Sequence, residues 1–105
     1  MDVLLRIKRL VARGALRLTD KARDELDAEG LSAQDAAEAI LSAARITKVL
    51  RSRSPLRHHA GERLYVIEGY NHRGTLLYTK GKIAREGGRE VYYLLISSKT
   101  STDSN

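Results

Sequence analysis

The spacing of apolar residues changes near the middle of the chain, from a helical period to the period of two that strands show. The N-terminal half repeats apolar residues three and four positions apart, beginning with Val3, Leu4, Ile7, Leu10 and Val11. From Ile46 onward, apolar and polar residues largely alternate. Helices followed by strands predict an α+β domain, in which N-terminal helices pack on an antiparallel β-sheet of about four strands.

Polar caps and glycines divide the first half into three predicted helices. Asp2, Thr19 and Ser32 each precede a helical pattern and can accept a hydrogen bond from its first turn. Gly14 and Gly30 follow the first two patterns, as glycine does at helix ends. The residues between Gly14 and Thr19 are expected to form an extended link. The third helix is expected to pack through small and apolar residues, namely Ala36, Ala37, Ile40, Leu41 and Ala44.

The second half begins with two predicted strands joined by a basic loop. Residues 46–51 alternate as an edge strand does, and residues 62–70 form the second strand. Between them, residues 51–61 hold the only proline of the chain together with three arginines and two histidines. Proline and the clustered polar residues indicate a loop rather than a strand.

A long β-hairpin at residues 74–99 is the feature around which the fold is expected to form. Both of its strands are rich in β-branched and aromatic residues, and Gly87 and Gly88 supply the positive φ angles of a tight turn. The sequence therefore predicts a single domain at residues 1–99, followed by a polar tail at 100–105.

Alternation along the two hairpin strands predicts which side chains share a face. On the first strand, Tyr78, Lys80 and Lys82 fall on one face, which becomes more basic along the strand. On the second strand, one row is expected to contain Val91, Tyr93, Leu95, Ser97 and Lys99. Polar groups that can perform chemistry are thus expected at the end of the second strand.

Composition limits the class of protein. The chain has 105 residues and no cysteine, which excludes disulfides and cysteine zinc sites and suits a reducing cytoplasm. Arg6, Lys8 and Arg9 interrupt the apolar N-terminal segment, so neither a signal peptide nor a membrane span is expected. We therefore expect a soluble cytoplasmic protein that does not bind membranes.

The charge distribution indicates an anionic partner. The net charge is +6, and residues 1–19 carry +4, residues 20–45 carry −4 and residues 46–105 carry +6. A basic chain with an acidic middle suggests that nucleic acid binds the two ends of the sequence and that the middle faces away.

The residues available for chemistry suit RNA cleavage without a metal. His58 and His59 are adjacent and have no carboxylate or cysteine spaced to complete a metal site, so neither a metal nor another cofactor is expected. Lysine, tyrosine, arginine and histidine can supply a base for a 2′-hydroxyl, cations for a phosphate and an acid for a leaving 5′-oxygen. A lysine or tyrosine acting as the base would need a lowered pKa, which neighbouring cations would favour.

Several short motifs, taken in order, resemble the MqsR family of bacterial toxins over residues 3–99. These motifs are Ile7–Thr19, Ile46–Lys48, Leu77–Lys80 and Leu95–Lys99. The resemblance implies a RelE-like fold and a messenger-RNA endoribonuclease that a cognate antitoxin protein neutralises. By motif, it implies that Lys48, Tyr78 and Lys99 are the catalytic residues.

The chain departs from the family pattern at one position. The family uses a glutamine in the strand or loop before the central hairpin, and this chain has none there. Arg57, His58 and His59 are the candidates to replace it. The residues expected to bind RNA are Arg51, Arg53, Arg57, His58, His59, Lys80 and Lys82.

Two other functional classes stay open. The first is a catalytically silent RelE-like domain that binds RNA or the ribosome through charge. The second is a protein-interaction module whose basic face receives an acidic partner.

Overall fold

The computed structural model describes residues 2–51 and 62–101, and it confirms the α+β fold. The elements in chain order are α1 (Val3–Ala12), β1 (Leu16–Leu18), α2 (Asp20–Ala28), α3 (Ala33–Ser42), β2 (Lys48–Arg51), β3 (Arg63–Tyr70), β4 (Leu76–Glu86) and β5 (Arg89–Thr100). The sheet has five strands in the order β1-β5-β4-β3-β2, so β2 is an edge strand, as predicted. Thr100 is the last residue of β5, one residue beyond the predicted end of the domain.

The predicted helix caps are confirmed. Asp2 accepts a hydrogen bond from the Leu4 amide at 3.4 Å, and Thr19 accepts one from the Ala22 amide at 3.1 Å. Ser32 and Asp35 form a reciprocal capping box. Each cap satisfies amide groups that the first helical turn leaves without partners.

The sheet has five strands rather than about four, because the expected link before α2 is itself a strand. β1 runs parallel to β5, with Leu16 opposite Tyr93 and Leu18 opposite Leu95. The Tyr93 amide donates to the Ala15 carbonyl at 2.9 Å, and the Thr19 amide donates to the Leu95 carbonyl at 3.0 Å. A strand of three residues is too short to show a period, which is why the sequence did not predict it. Because β1 runs parallel to β5, the sheet is mixed rather than wholly antiparallel.

The three helices and one face of the sheet enclose the core. Its fully buried large residues include Ile7, Leu26, Ile40, Ile67, Leu77, Tyr93 and Leu95. In α3 the buried apolar residues are Ala36, Ala39 and Ile40, whereas Leu41 is 40% exposed, and Ala44 lies exposed beyond the end of the helix. The predicted packing face of α3 was therefore wrong at those two positions.

Gly69 determines how closely α3 approaches the sheet. A Cβ atom on Gly69 would lie 2.0 Å from the Ala39 carbonyl oxygen. The backbones of β3 and α3 consequently touch, and the Ser42 hydroxyl donates to the Tyr70 carbonyl at 2.7 Å. This close approach explains why small residues rather than Leu41 fill the contact.

The acidic helix α2 binds the sheet edge that β1 leaves uncovered. Glu25 accepts hydrogen bonds from the Ser97 hydroxyl at 2.7 Å and from the Ser98 amide at 3.0 Å. Glu29 accepts one from the Thr100 amide at 2.6 Å. These two carboxylates replace a neighbouring strand along the end of β5. That the acidic middle segment faces away from nucleic acid stays a prediction.

A β-bulge in the hairpin reverses the alternation of β5. Gly87 and Gly88 have φ angles of 60° and 79°, which confirms the predicted turn. Lys80 pairs with Ser97 but Gly81 pairs with Leu95, so Ile96 is an extra residue in β5.

The bulge corrects one predicted row of side chains. Beyond Ile96, side chains fall on the face opposite to the one that strict alternation gives. Lys99 was expected to share a row with Tyr93 and Leu95, but it pairs with Tyr78 instead.

Candidate active site

The face of the sheet opposite the helices, here called the distal face, holds the three residues that the sequence analysis expects to be catalytic. The ladder pairs Lys48 with Val66, and Val66 with Lys80. The adjacent row pairs Glu68 with Tyr78, and Tyr78 with Lys99. Because paired residues share a face, the distal face contains Lys48, Val66, Glu68, Tyr78, Lys80, Lys82 and Lys99.

A cavity of about 350 Å³ opens at one end of the distal face. Its lining consists of Thr47, Lys48, Val66, Glu68, Tyr78, Lys99, Thr100 and Ser101. The structure therefore brings Lys48, Tyr78 and Lys99 together from three different strands. Strands hold side chains more rigidly than loops do, which suits a site that needs fixed geometry.

Tyr78 is held in its protonated form. Burial raises the pKa of Tyr78 above its ordinary value of 10.0, and the nearby carboxylates of Glu68 and Glu25 raise it further. The expectation that neighbouring cations would lower the pKa of such a group is wrong for Tyr78, although Lys99 Nζ lies 5.8 Å from its ring centroid. Tyr78 can thus donate a proton at neutral pH, but it cannot readily serve as a base.

Glu68 is a functional candidate that the sequence analysis missed. Glu68 lies directly opposite Tyr78 in the β3–β4 ladder, and it lines the cavity. Its Oε2 accepts a hydrogen bond from the Ser101 hydroxyl at 2.8 Å. It also lies in the strand before the hairpin, one of the places where the MqsR family carries its glutamine. Two signals were available in the sequence, namely its place in the same row as Val66 and its position before the hairpin. Glu68 was missed because only arginine and histidine were considered as replacements for the glutamine.

Glu25 of α2 contributes negative charge beside the cavity. Burial opposes ionisation of Glu25, but hydrogen bonds from Ser97 and Ser98 and the charges of Lys21 and Lys99 keep its pKa below the usual value. It is therefore ionised at neutral pH. Through its hydrogen bonds to β5, Glu25 fixes the strand segment that carries Lys99.

The predicted RNA-binding residues fall into three groups. Lys80 and Lys82 lie on the distal face, and Lys82 forms an ion pair with Glu62 at 3.0 Å. Arg51 lies opposite Arg63 in the β2–β3 ladder and shares a face with Val49. That face is the helix side of the sheet, so Arg51 does not lie beside the lysines of the cavity. Arg53, Arg57, His58 and His59 lie outside the residues that the structure describes.

Residues 2–51 and 62–101 contain no group of three or more histidine, cysteine, aspartate or glutamate side chains that could hold a metal ion. Within the same ranges, none of the helices has the length and apolar character needed to cross a membrane.

Comparison of the chain with protein-family models, with curated proteins and with solved structures gives no match. The assignment of a function therefore depends on the geometry of the cavity and on the motif resemblance.

Proposed function

We propose that this protein is a metal-independent endoribonuclease of the MqsR-like type, a toxin that cleaves messenger RNA in the cytoplasm. The observation that supports this most is the convergence of Lys48, Tyr78 and Lys99 on one cavity. The motif resemblance had singled out the same three residues for catalysis. A proton donor between two cations is the arrangement that cleavage of a phosphodiester needs.

Lys48 and Lys99 would bind the scissile phosphate. Both side chains are exposed at the cavity, and neither forms an ion pair with another described residue. Their ammonium groups can therefore contact the non-bridging oxygens. Negative charge grows on these oxygens as the 2′-oxygen attacks phosphorus, so two fixed cations stabilise the transition state more than the ground state.

Glu68 and Tyr78 would transfer the protons. The Glu68 carboxylate takes the proton of the 2′-hydroxyl as the 2′-oxygen forms its bond to phosphorus. The Tyr78 hydroxyl gives a proton to the 5′-oxygen as the bond from phosphorus to that oxygen breaks. The products are a 2′,3′-cyclic phosphate and a 5′-hydroxyl, and the raised pKa of Tyr78 favours the donor role.

A cognate antitoxin protein is part of the proposal. An uninhibited ribonuclease of this kind would damage the messenger RNA of its own host. We therefore expect a small protein, encoded beside this one, to bind it and suppress its activity. Growth arrest on expression of this chain alone, relieved by coexpression of the neighbouring frame, would support the toxin assignment, and normal growth would count against it.

A catalytically silent RNA-binding domain is the second candidate. One observation favours it, namely that Glu68, a carboxylate, lies in the strand before the hairpin, and the family pattern has a glutamine in that strand or in a loop before the hairpin. If Glu68 took no proton, its charge would repel the phosphate and leave a site that binds RNA weakly through the lysines.

Incubation of the purified protein with defined single-stranded RNA separates these candidates. With a chelator present, the proposal predicts fragments that end in a 2′,3′-cyclic phosphate or a 3′-phosphate. Intact RNA under all conditions would favour the silent domain. Cleavage that stops with chelator and returns with magnesium would show a different mechanism.

A further inference from the structure

A second cluster lies on the distal face, at the other end from the cavity. Arg17 of β1 pairs with Leu94 of β5, and Tyr92 pairs with Ala84 of β4. The Arg17 guanidinium carbon lies 5.5 Å from the centroid of the Tyr92 ring. A guanidinium held over an aromatic ring is the kind of surface on which nucleobases stack.

Cations connect this pair to the cavity. Along β4 the distal face carries Tyr78, then Lys80, then Lys82, and successive members of this row are about 6.8 Å apart. This spacing is comparable to the separation of phosphates along an extended single strand of RNA. Lys80 forms no ion pair with any other described residue, whereas Lys82 is paired with Glu62.

A concave surface lies beside the Arg17–Tyr92 pair. A cavity of about 360 Å³ is lined there by Lys82, Ala84, Tyr92 and Leu94, among other residues. Tyr92 and Leu94 are half-buried, while Arg17 is exposed. The pair thus combines an aromatic ring, an exposed cation and space for a planar group.

We propose that Arg17 and Tyr92 form a nucleobase-binding subsite that holds single-stranded RNA several nucleotides away from the scissile phosphate. The inference rests on the proposed function, because it takes RNA as the ligand of the distal face. Lys80 contacts the phosphates between the two sites. A base stacked at Arg17 and Tyr92 helps to align the strand with Lys48, Tyr78 and Lys99.

Binding of non-cleavable RNA of two lengths tests this subsite. Fluorescently labelled 2′-O-methyl RNA lacks the attacking hydroxyl, so its affinity can be measured by polarisation without cleavage. A dinucleotide reaches only the cavity, whereas a strand of about eight nucleotides, within the range that single-strand sites cover, reaches both ends of the distal face. Arg17→Ala and Tyr92→Leu are compared with Arg9→Ala, which removes an exposed cation from α1 on the helix side.

The subsite predicts a loss that depends on length. Arg17→Ala and Tyr92→Leu should each weaken binding of the longer RNA roughly five- to a hundred-fold, the range that one lost stacking interaction gives. The same two changes should leave the affinity for the dinucleotide unaltered. The control Arg9→Ala should keep the affinity of the unchanged protein for both RNA lengths. If the longer RNA binds both variants as it binds Arg9→Ala, or if both lengths lose equally, the subsite does not exist.

The outcome for the unchanged protein keeps the two proposals apart. If it cleaves and binds RNA but the variants show no length-dependent loss, only the subsite is wrong. If it neither cleaves nor binds RNA of any length, the proposed function fails, and the subsite fails with it. Thermal melting of Tyr92→Leu shows whether its loss of RNA affinity reflects unfolding. Arg17→Ala tests the subsite without that complication, because Arg17 is exposed.

Discussion

Lys99 lies directly opposite Tyr78 in the β4–β5 ladder, with its ammonium nitrogen 5.8 Å from the centroid of the tyrosine ring. The bulge at Ile96 makes this pairing possible, because without the extra residue the side chain of Lys99 would point to the helix side. A single inserted residue therefore completes the cavity. Bulges near active sites commonly redirect a side chain in this way.

Lys48→Ala and Lys99→Ala should lower the rate of cleavage more than the affinity for RNA, because the proposed role of these cations is to stabilise charge that develops in the transition state. Each change should also reduce the salt dependence of binding by about one unit, as expected for one lost phosphate contact. Single-turnover rates and polarisation titrations at several salt concentrations measure both quantities. Arg9→Ala is the matched control, and equal effects of all three changes would mean that only net charge matters.

Glu68→Gln should slow cleavage by a factor on the order of 10²–10⁴ if Glu68 is the general base. The substitution keeps the shape and an acceptor for the Ser101 hydroxyl, so affinity should change little. An increase in rate or affinity would instead show that Glu68 only repels phosphate.

The raised pKa of Tyr78 predicts how cleavage depends on alkaline pH. The proposed donor role needs Tyr78 in its protonated form, and its pKa lies above the ordinary value of 10.0, so its ionisation should not reduce activity anywhere near neutrality. A profile of kcat/KM should show no decline due to Tyr78 up to about pH 9.5. A decline below that pH that disappears in Tyr78→Phe would contradict the donor role.

Asp35 should stabilise the fold at neutral pH and lose this contribution in acid. Its pKa is lowered chiefly by the hydrogen bond from the Ser32 amide, and further by hydrogen bonds from the Ser32 hydroxyl and Asn71 and by the charge of Arg73. A carboxyl group with a lowered folded-state pKa contributes stability above its unfolded pKa, 3.8 here, and loses it as pH falls through the lower folded value.

Asp35→Asn tests this contribution. The free energy of unfolding at pH 7 should fall by about 1–2 kcal/mol, and it should vary less between pH 5 and pH 2 than that of the unchanged protein. Urea titrations across this range measure it. Asp24→Asn, at an exposed position of α2, is the control, and the same loss there would assign the effect to general charge.

The sequence predicted the parts of the fold that local rules determine. The caps at Asp2, Thr19 and Ser32 and the turn at Gly87 and Gly88 depend on residues within a few positions, and all were predicted correctly. β1 was missed because three residues cannot show a period, and only pairing with β5 makes them a strand.

The candidate site was predicted less completely. Alternation predicted that the side chains of Tyr78 and Lys80 lie on the same face of the sheet, and the structure confirms it. The orientation of Lys99 did not follow, because strict alternation allows no extra residue such as Ile96. Glu68 was overlooked because only its neighbours across the sheet make it a candidate. The roles of Arg53, Arg57, His58 and His59 stay predictions.

Tyr78→Phe tests the central claim most directly, because it removes one hydroxyl and keeps the ring that Lys99 contacts. The measurement is the single-turnover cleavage rate of defined RNA with chelator present, beside the affinity for the same sequence as 2′-O-methyl RNA. If Tyr78 donates the proton to the leaving oxygen, the rate should fall by on the order of 10²–10⁴ while the affinity stays nearly constant. Equal and small losses of rate and affinity would show that the tyrosine only packs or stacks, and would contradict catalysis at this cavity.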